Sequence, residues 1–421
     1  LTTSSCQTSL QPSEIKKKVE DIEAFNDGIL ENNSKIVEDE AQIINEIAKG
    51  LKTTETFLPS KENLSKVFFI DEKNGWIVGN KVDSEDKVLG NFIYKSVDGG
   101  NSWKQIKTNF PKNSVMKDLF FINNSTGWIL LQNNANSWEE EKFKSWIYKT
   151  SDSGKTWQLI HTSKIGLHYY KLRFVDEKNG WLLAEGSVMK ESPVLTKPYR
   201  AYSRFVFKIT DSGKSLTDVS SDVSEDLDDD LPTDIFIENQ NTIIISTSSQ
   251  FFKTEDNGKT WLQFNANFYD DFIGNKNIAG IDESINHVGK LAENRYRIAD
   301  GFRNDTEGSR SYLAIQLNDE SWVLRRFSGE TFCLSDIHFF NESQILAIGQ
   351  FCRNILTEGK EFRNKDSVAL FSSNNGETFS IAYNNPKIED INSLAKISEN
   401  HIIAVGDKGL IINIELEKPT N

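Results

Sequence analysis

One short phrase occurs four times in this chain, and its repetition constrains the fold more than any other feature. The copies are Ser96 to Trp103, Thr150 to Trp157, Ile209 to Leu216 and Thr254 to Trp261. Each has an Asp, a Gly two residues later, a Ser or Thr two further on, and then Trp or Leu. A fifth copy, Ser372 to Phe379, keeps the rhythm with Asn374 in place of the Asp. Repetition at a long period marks one supersecondary unit used again and again, each unit needing its neighbours to bury its apolar faces.

A second phrase precedes each copy. Val67 to Gly79, Phe120 to Leu130 and Phe174 to Leu183 are apolar runs broken by a polar turn that exits on Trp76, Trp128 or Trp181. Weaker versions exit on Ile243, Tyr296, Ile345 and Ile402. Two apolar runs around a turn rich in Asn, Ser and Gly read as a β-hairpin. Each unit is therefore a hairpin, a third strand, the Asp phrase as a turn, and a fourth strand. Seven such units predict an all-β, seven-bladed β-propeller. The period exceeds the ~40–45 residues of a blade with tight turns, so the surplus is loops. The last unit stops one strand short after Leu410 to Glu415. An open edge there invites aggregation, so the β-prone segment Thr54 to Leu58 is expected to complete it. The propeller then spans 54–416, with a tail at 417–421.

In the Asp phrase the carboxylate accepts N–H groups of its own turn, the Gly allows a positive φ, and the hydroxyl adds a local bond. Asp98, Trp103, Asp152, Trp157, Asp211, Asp256 and Trp261 are accordingly read as structural residues. These phrases are similar to the Asp-box, or BNR, repeat. Pairing that box with the Gly-Trp hairpin resembles the photosystem II assembly and stability factor family of propellers and its relatives in other bacteria. The resemblance runs over roughly 60–416 and fades in the last three units. It implies a non-catalytic protein that binds and controls a partner. It leaves the partner open, because fold does not fix function. Sialidases and sortilin-type receptors carry the same box.

The first 50 residues read differently. Ile15, Ile22, Ile29, Ile36 and Ile43 recur every seven residues, with Gly28 and Asn32-Asn33-Ser34 as breakers. That pattern predicts a flexible start at 1–12 and an α-helical arm over 13–50, as a hairpin of helices at 13–27 and 34–49. A single long helix is the alternative.

Formal net charge is −14 and the sequence pI about 5.0. Nucleic acid and anionic membrane are poor partners for such a chain, and a basic protein suits it better. No apolar stretch approaches the ~20 residues of a transmembrane helix. Cys333 and Cys352 flank the sixth hairpin at matching distances, which suits a disulfide; two unpaired thiols are the alternative. A bridge implies an oxidising compartment such as a periplasm. Cys6 is left over near a chain start that is not Met, which suits a lipid-anchored cysteine of a bacterial envelope lipoprotein.

No enzyme is expected. The first arginine is Arg173, after two Asp phrases, whereas a sialidase needs its first carboxylate-clamping arginine before the first box. The five histidines lack metal-ligand spacing and no phosphate loop or nucleophile elbow occurs, so no cofactor or metal is expected. Loops after each hairpin's second strand should share one face of the propeller, and aromatics on loops suit a protein-binding face. Trp138, Phe143, Tyr199 and Tyr202 are the expected anchors. Arg295 and Arg297, alternating on one strand, are a second candidate contact, because the family resembled is known for an arginine patch. The expected partner is a protein: a basic toxin held by an immunity protein, or a subunit of an envelope complex being assembled. A glycan-binding or glycan-cleaving propeller is the contrasting reading.

Overall fold

The computed structural model describes residues 36–59, 62–82, 88–133, 142–190, 199–224, 227, 232–247, 251–264, 283–292, 295–303, 310–316, 322–327, 332–341, 343–351, 355–357, 360–362, 367–388 and 390–417. Two strands come before the first repeat, β1 (Ile36–Ile47) and β2 (Leu51–Phe57). Sheet I is β3 (Asn63–Phe69), β4 (Gly75–Val82), β5 (Val88–Ser96) and β6 (Lys104–Ile106). Sheet II is β7 (Ser114–Phe121), β8 (Gly127–Asn133), β9 (Ser145–Thr150) and β10 (Gln158–Thr162). Sheet III is β11 (Leu167–Phe174), β12 (Gly180–Lys190), β13 (Tyr199–Thr210) and β14 (Ser215–Asp218). Sheet IV is β15 (Pro232–Ile237), β16 (Ile243–Thr247), β17 (Phe251–Thr254) and β18 (Leu262–Phe264).

Next come β19 (Glu283–Ala292), β20 (Arg295–Arg303), β21 (Arg310–Gln316), β22 (Trp322–Phe327), β23 (Phe332–Phe339) and β24 (Ile345–Phe351). After a small hairpin of β25 (Ile355–Thr357) and β26 (Lys360–Phe362) follow β27 (Ser367–Ser372) and β28 (Thr378–Asn384). These form sheet V, nine strands in the order β19-β20-β21-β22-β1-β28-β27-β24-β23. Sheet VI is β29 (Ile391–Ser398), β30 (His401–Gly406), β31 (Leu410–Leu416) and β2.

The chain is an all-β propeller. The first strands of the repeats pack in sequence, β3 on β7, β7 on β11, β11 on β15, β15 on β19, β19 on β23, β23 on β29, and β29 back on β3. The expected count of seven separate blades is corrected to six blade sheets among the described residues, besides the small β25–β26 hairpin. The reason is β1: residues 36–41 run parallel to β22 and residues 42–47 parallel to β28, so one strand knits two four-stranded groups together. The helical arm is corrected by the same strand. Residues 36–47 are extended, not helical, and among the described residues the one α-helix is the single turn α1 (Ser220–Val223). Isoleucines every seven residues suit a helix, but β-branched side chains suit a pleated surface as well, and two open outer edges offer backbone partners that an isolated helix does not. Residues 1–35, with Cys6, lie outside the described residues. The strand expected to complete the last unit is present: β2 pairs antiparallel with β31 from Leu51 opposite Leu416 to Phe57 opposite Leu410.

The repeated phrases explain themselves locally. At the first turn of five units, Asp71, Asn123, Asp176, Asn239 and Asn341 accept N–H groups two and three residues on, closing the same side-chain turn each time. At the second turn, Ser96, Thr150, Thr254 and Ser372 accept the N–H of Gly100, Gly154, Gly258 and Gly376, while Asp98, Asp152, Asp256 and Asn374 accept that of Ser102, Thr156, Thr260 and Thr378. These bonds hold Asp98 below the usual carboxylate range, the Ser102 hydroxyl contributing most. The third copy departs. Ile209 stands where the hydroxyl would be, and Asp211 itself takes a positive φ of 52°. The sheets lock through tryptophans: Trp76 stacks on Phe121 at 3.8 Å and donates to the Ser153 carbonyl, and Trp128 stacks on Phe174 at 3.6 Å and donates to that of Ser212. Trp103, Trp157 and Trp261 pack edge-on against Phe69, Phe121 and Trp181.

Candidate functional site

Each of β3, β7, β11, β15, β23 and β29 carries a register shift of one residue in its first half. A bulge re-aims the residue that follows it. Those residues are Lys66, Asp118, Lys171, Asp234, Asp336 and Ser393, and they lie at one level of the ring. Asp118 is 1% exposed and is the centre of the arrangement. It takes Lys66 from sheet I on Oδ1, and on Oδ2 both the Leu172 N–H at 2.9 Å and Arg173 Nη1 at 2.6 Å from sheet III. The relation recurs around the ring. Asp336 accepts the Leu394 N–H at 2.8 Å, Ser393 accepts that of Val67 at 3.5 Å, and Lys171 meets Asp234 at 2.8 Å. Each of these groups ties its own strand to the next strand of the ring.

Burial opposes the charge on Asp118, but Arg173 and then Lys66 outweigh it and hold the carboxyl below its usual range. Lys66 is pushed down to about 8, first by burial, with Asp118 opposing and Arg173 and Lys171 adding to the fall. Further along β23, burial and Lys396 push His338 down to about 4.

At the start of these strands, sheet III projects. Leu167 at the start of β11 faces Gly186, yet β12 and β13 stay paired as far as Lys190 opposite Tyr199. Residues 187–190 and 199–202 therefore form a two-stranded ribbon on the face of the long loops. Met189 is 60% exposed, Tyr202 42%, and Ile165, in the turn bonded to the ribbon through Gly166 and Ser187, 72%. Beneath them Glu185 pairs with His168 at 3.5 Å and takes a hydrogen bond from Tyr202. Burial lowers His168, against the bond to Glu185.

Of the expected anchors, Tyr202 lies on this ribbon and Tyr199 at its tip. Phe143 is corrected: it is buried, 5.4 Å from the His168 ring, because its carbonyl is strapped to the Gly166 N–H at 2.8 Å. Trp138 lies outside the described residues. Arg295 and Arg297 stand on β20 opposite Ala292 and Gly289. Cys333 is disulfide-bonded. It faces Gln350 in the register, because the bulge at Leu334 to Asp336 shifts the pairing, and Cys352 lies outside the described residues. Sequence reasoning passed over the charged ring, although its signal was there: Lys66, Asp118, Lys171, Asp234 and Asp336 each stand immediately before the apolar end of a repeat's first strand. Among the described residues no group of three or more His, Cys, Asp or Glu is placed to hold a metal ion, and no helix is long and apolar enough to cross a membrane.

The structure is similar to YCF48 bound to D1 peptide, with a TM-score of 0.54 and 15% identity over 88% of this chain and 98% of that one. It is also similar to YCF48 from Cyanidioschyzon merolae, with a TM-score of 0.51 and 12% identity over 86% and 98%. A GH74 xyloglucanase from Xanthomonas campestris gives a TM-score of 0.52 and 10% identity over 85% of this chain and 53% of that one. At these identities the likeness is one of fold. No protein-family model matches the sequence, and no curated protein matches it as a relative.

Proposed function

We propose that this chain is a non-catalytic propeller that holds a partner protein on its loop face, with the sheet III ribbon as the anchor. The observation that carries the reading is the exposed trio of Met189 and Tyr202 on the two-stranded ribbon and Ile165 in the turn bonded to it. Interface hot spots favour such residues where the backbone is already ordered. The fold likeness to a propeller bound to a peptide supports it. So does the channel, where Asp118, Asp234 and Asp336 are each engaged by a cation or a backbone N–H. A glycosidase instead needs two working carboxylates roughly 5–9.5 Å apart.

In this reading the repeated turns are Asp-box repeats, and the role is either assembly and stability of an envelope complex or immunity against a basic toxin. The acidic chain favours a basic partner in both. The bonded Cys333 supports an oxidising compartment, hence the periplasm or envelope of a bacterium, with Cys6 as the site of lipid attachment. The test is affinity capture from an envelope fraction with the natural chain and with an I165S/M189S/Y202S variant of unchanged circular dichroism. One partner, retained by the natural chain and weakened at least ~30-fold by the variant, is expected from the loss of a ~2 kcal/mol hot spot. Equal retention by the two would reject the ribbon as anchor.

A further inference from the structure

At the end of the channel opposite the ribbon, a cleft of 530 Å³ opens between the ends of β7, β11 and β15. Its walls are mainly apolar, with Phe120, Val175, Ile235 and Ile237 among them; Gln240 stands on the rim, and Arg173 is the one charged group in the lining. We propose that this cleft binds a small monocarboxylic acid, its carboxylate on the Arg173 guanidinium and its hydrocarbon body among these apolar walls.

The size falls within the ~300–1,000 Å³ of small-molecule sites, which are apolar with a few fixed polar groups. A protein surface would need a broad, flatter contact. Arg173 is a prepared anion receptor. Nη1 is spent on Asp118 and on the Leu172 carbonyl, at 2.6 Å each, and the guanidinium lies 5.6 Å from the Phe120 ring. Those contacts fix the plane of the fork, so little side-chain entropy is lost when an anion arrives. Nε and Nη2 have no partner among the described residues, although the side chain is 18% exposed. A carboxylate is the planar anion that a guanidinium edge accepts through two parallel N–H bonds. The ring's carboxylates share its charge, Asp118 by direct contact and Asp234 and Asp336 through space, but of these only Asp118 bonds to the fork. Asp118 already holds Nη1, Asp234 takes Lys171 and the Ile235 N–H, and Asp336 takes the N–H groups of Ile337 and Leu394. Arg173 is the one cation in the lining and Asp118 already takes part of its charge, which favours one negative charge over the two of a phosphate monoester.

The test is a saturation-transfer NMR titration of the full chain with octanoate, 3-phenylpropionate and, as the uncharged control, octan-1-ol. Both acids should saturate with Kd at or below about 1 mM, from ~10 heavy atoms at modest ligand efficiency. Octan-1-ol should bind at least tenfold more weakly. Two variants separate the site from the fold. R173K keeps a cation beside Asp118 but loses the fork, and should weaken octanoate at least tenfold. I237W leaves Arg173 intact and fills the cleft, and should abolish binding. Failure of both acids to saturate by about 10 mM would overturn the proposal. So would octan-1-ol binding as well as octanoate, or I237W binding octanoate normally.

Discussion

Replacing Asp118 by Asn should destabilise the propeller by about 3–5 kcal/mol at pH 7, the cost of removing one partner from a buried ion cluster. The carboxylate has two oxygens and takes three donors from the strands on either side of its own. An amide offers one acceptor and turns an N–H toward the other donors. At least one charged hydrogen bond is lost, about 1.5–3 kcal/mol, and Lys66 and Arg173 face each other unneutralised. Against a typical total of about 5–15 kcal/mol the variant still folds. Urea unfolding followed by tryptophan fluorescence should show a lower midpoint at an unchanged slope. The pH dependence gives a second check. Asp118 is held below its unfolded value, so its contribution is fully present above about pH 4 and is lost as pH falls through the folded value. The gap between the natural chain and D118N should therefore close in acid. K66M added to D118N should cost less than the two separate losses summed, by about 1–3 kcal/mol. A gap under about 1 kcal/mol at pH 7, a gap that stays constant down to pH ~2, or strict additivity would refute the reasoning.

Four further outcomes are expected. His338 is held down to about 4, so the natural chain loses stability as pH falls from about 6.5 toward 4, where only the unfolded chain takes the proton; H338Q should lose less over that window in pH-dependent urea midpoints. G258A should cost about 2–4 kcal/mol by thermal or urea unfolding, because φ is +80° and a Cβ there would come within 2.2 Å of the Trp181 ring. A41E puts a charge at a fully buried point of β1, packed with Leu313, Phe327, Phe332 and Phe379; it should release the strand, raise amide exchange along β22 and β28, and produce larger species in light scattering as those edges open. Mass spectrometry of the unreduced chain should join the Cys333 peptide to the Cys352 peptide; a link to Cys6, or between two chains, would reject that pairing.

The parts legible in the sequence are those whose cause is local. An Asx turn, a Gly at positive φ and a Gly-Trp hairpin exit each need only a few neighbouring residues, and all recur where the phrases recur. Even the failure of the third turn is local, since Ile209 lacks the hydroxyl that Ser96 and Thr150 supply. What escaped depends on distant partners. Ile36 and Ile43 carry the same seven-residue spacing whether they wind into a helix or lie along an edge, and only the open strands β22 and β28, some 290 and 340 positions later in the register, decide for the edge. Phe143 reads as a loop aromatic until the turn at Gly166 pins it down. The ring of Lys66, Asp118 and Lys171 was readable as a repeated position, but its pairing across sheets was not.

The course of β1 and β2 also bears on when this molecule can exist during its own synthesis. Residues 36–57 leave the ribosome before any repeat does, yet their hydrogen-bond partners Trp322–Phe327, Thr378–Asn384 and Leu410–Leu416 follow only after sheets I to IV. This segment therefore waits, unpaired and rich in isoleucine, while those four sheets are made. Contacts of such sequence separation form slowly, and exposed edges are vulnerable in the interval. A chaperone, or an early ligand for that segment, would act here before the ring closes, and a stalled nascent chain would display the segment as an open hook.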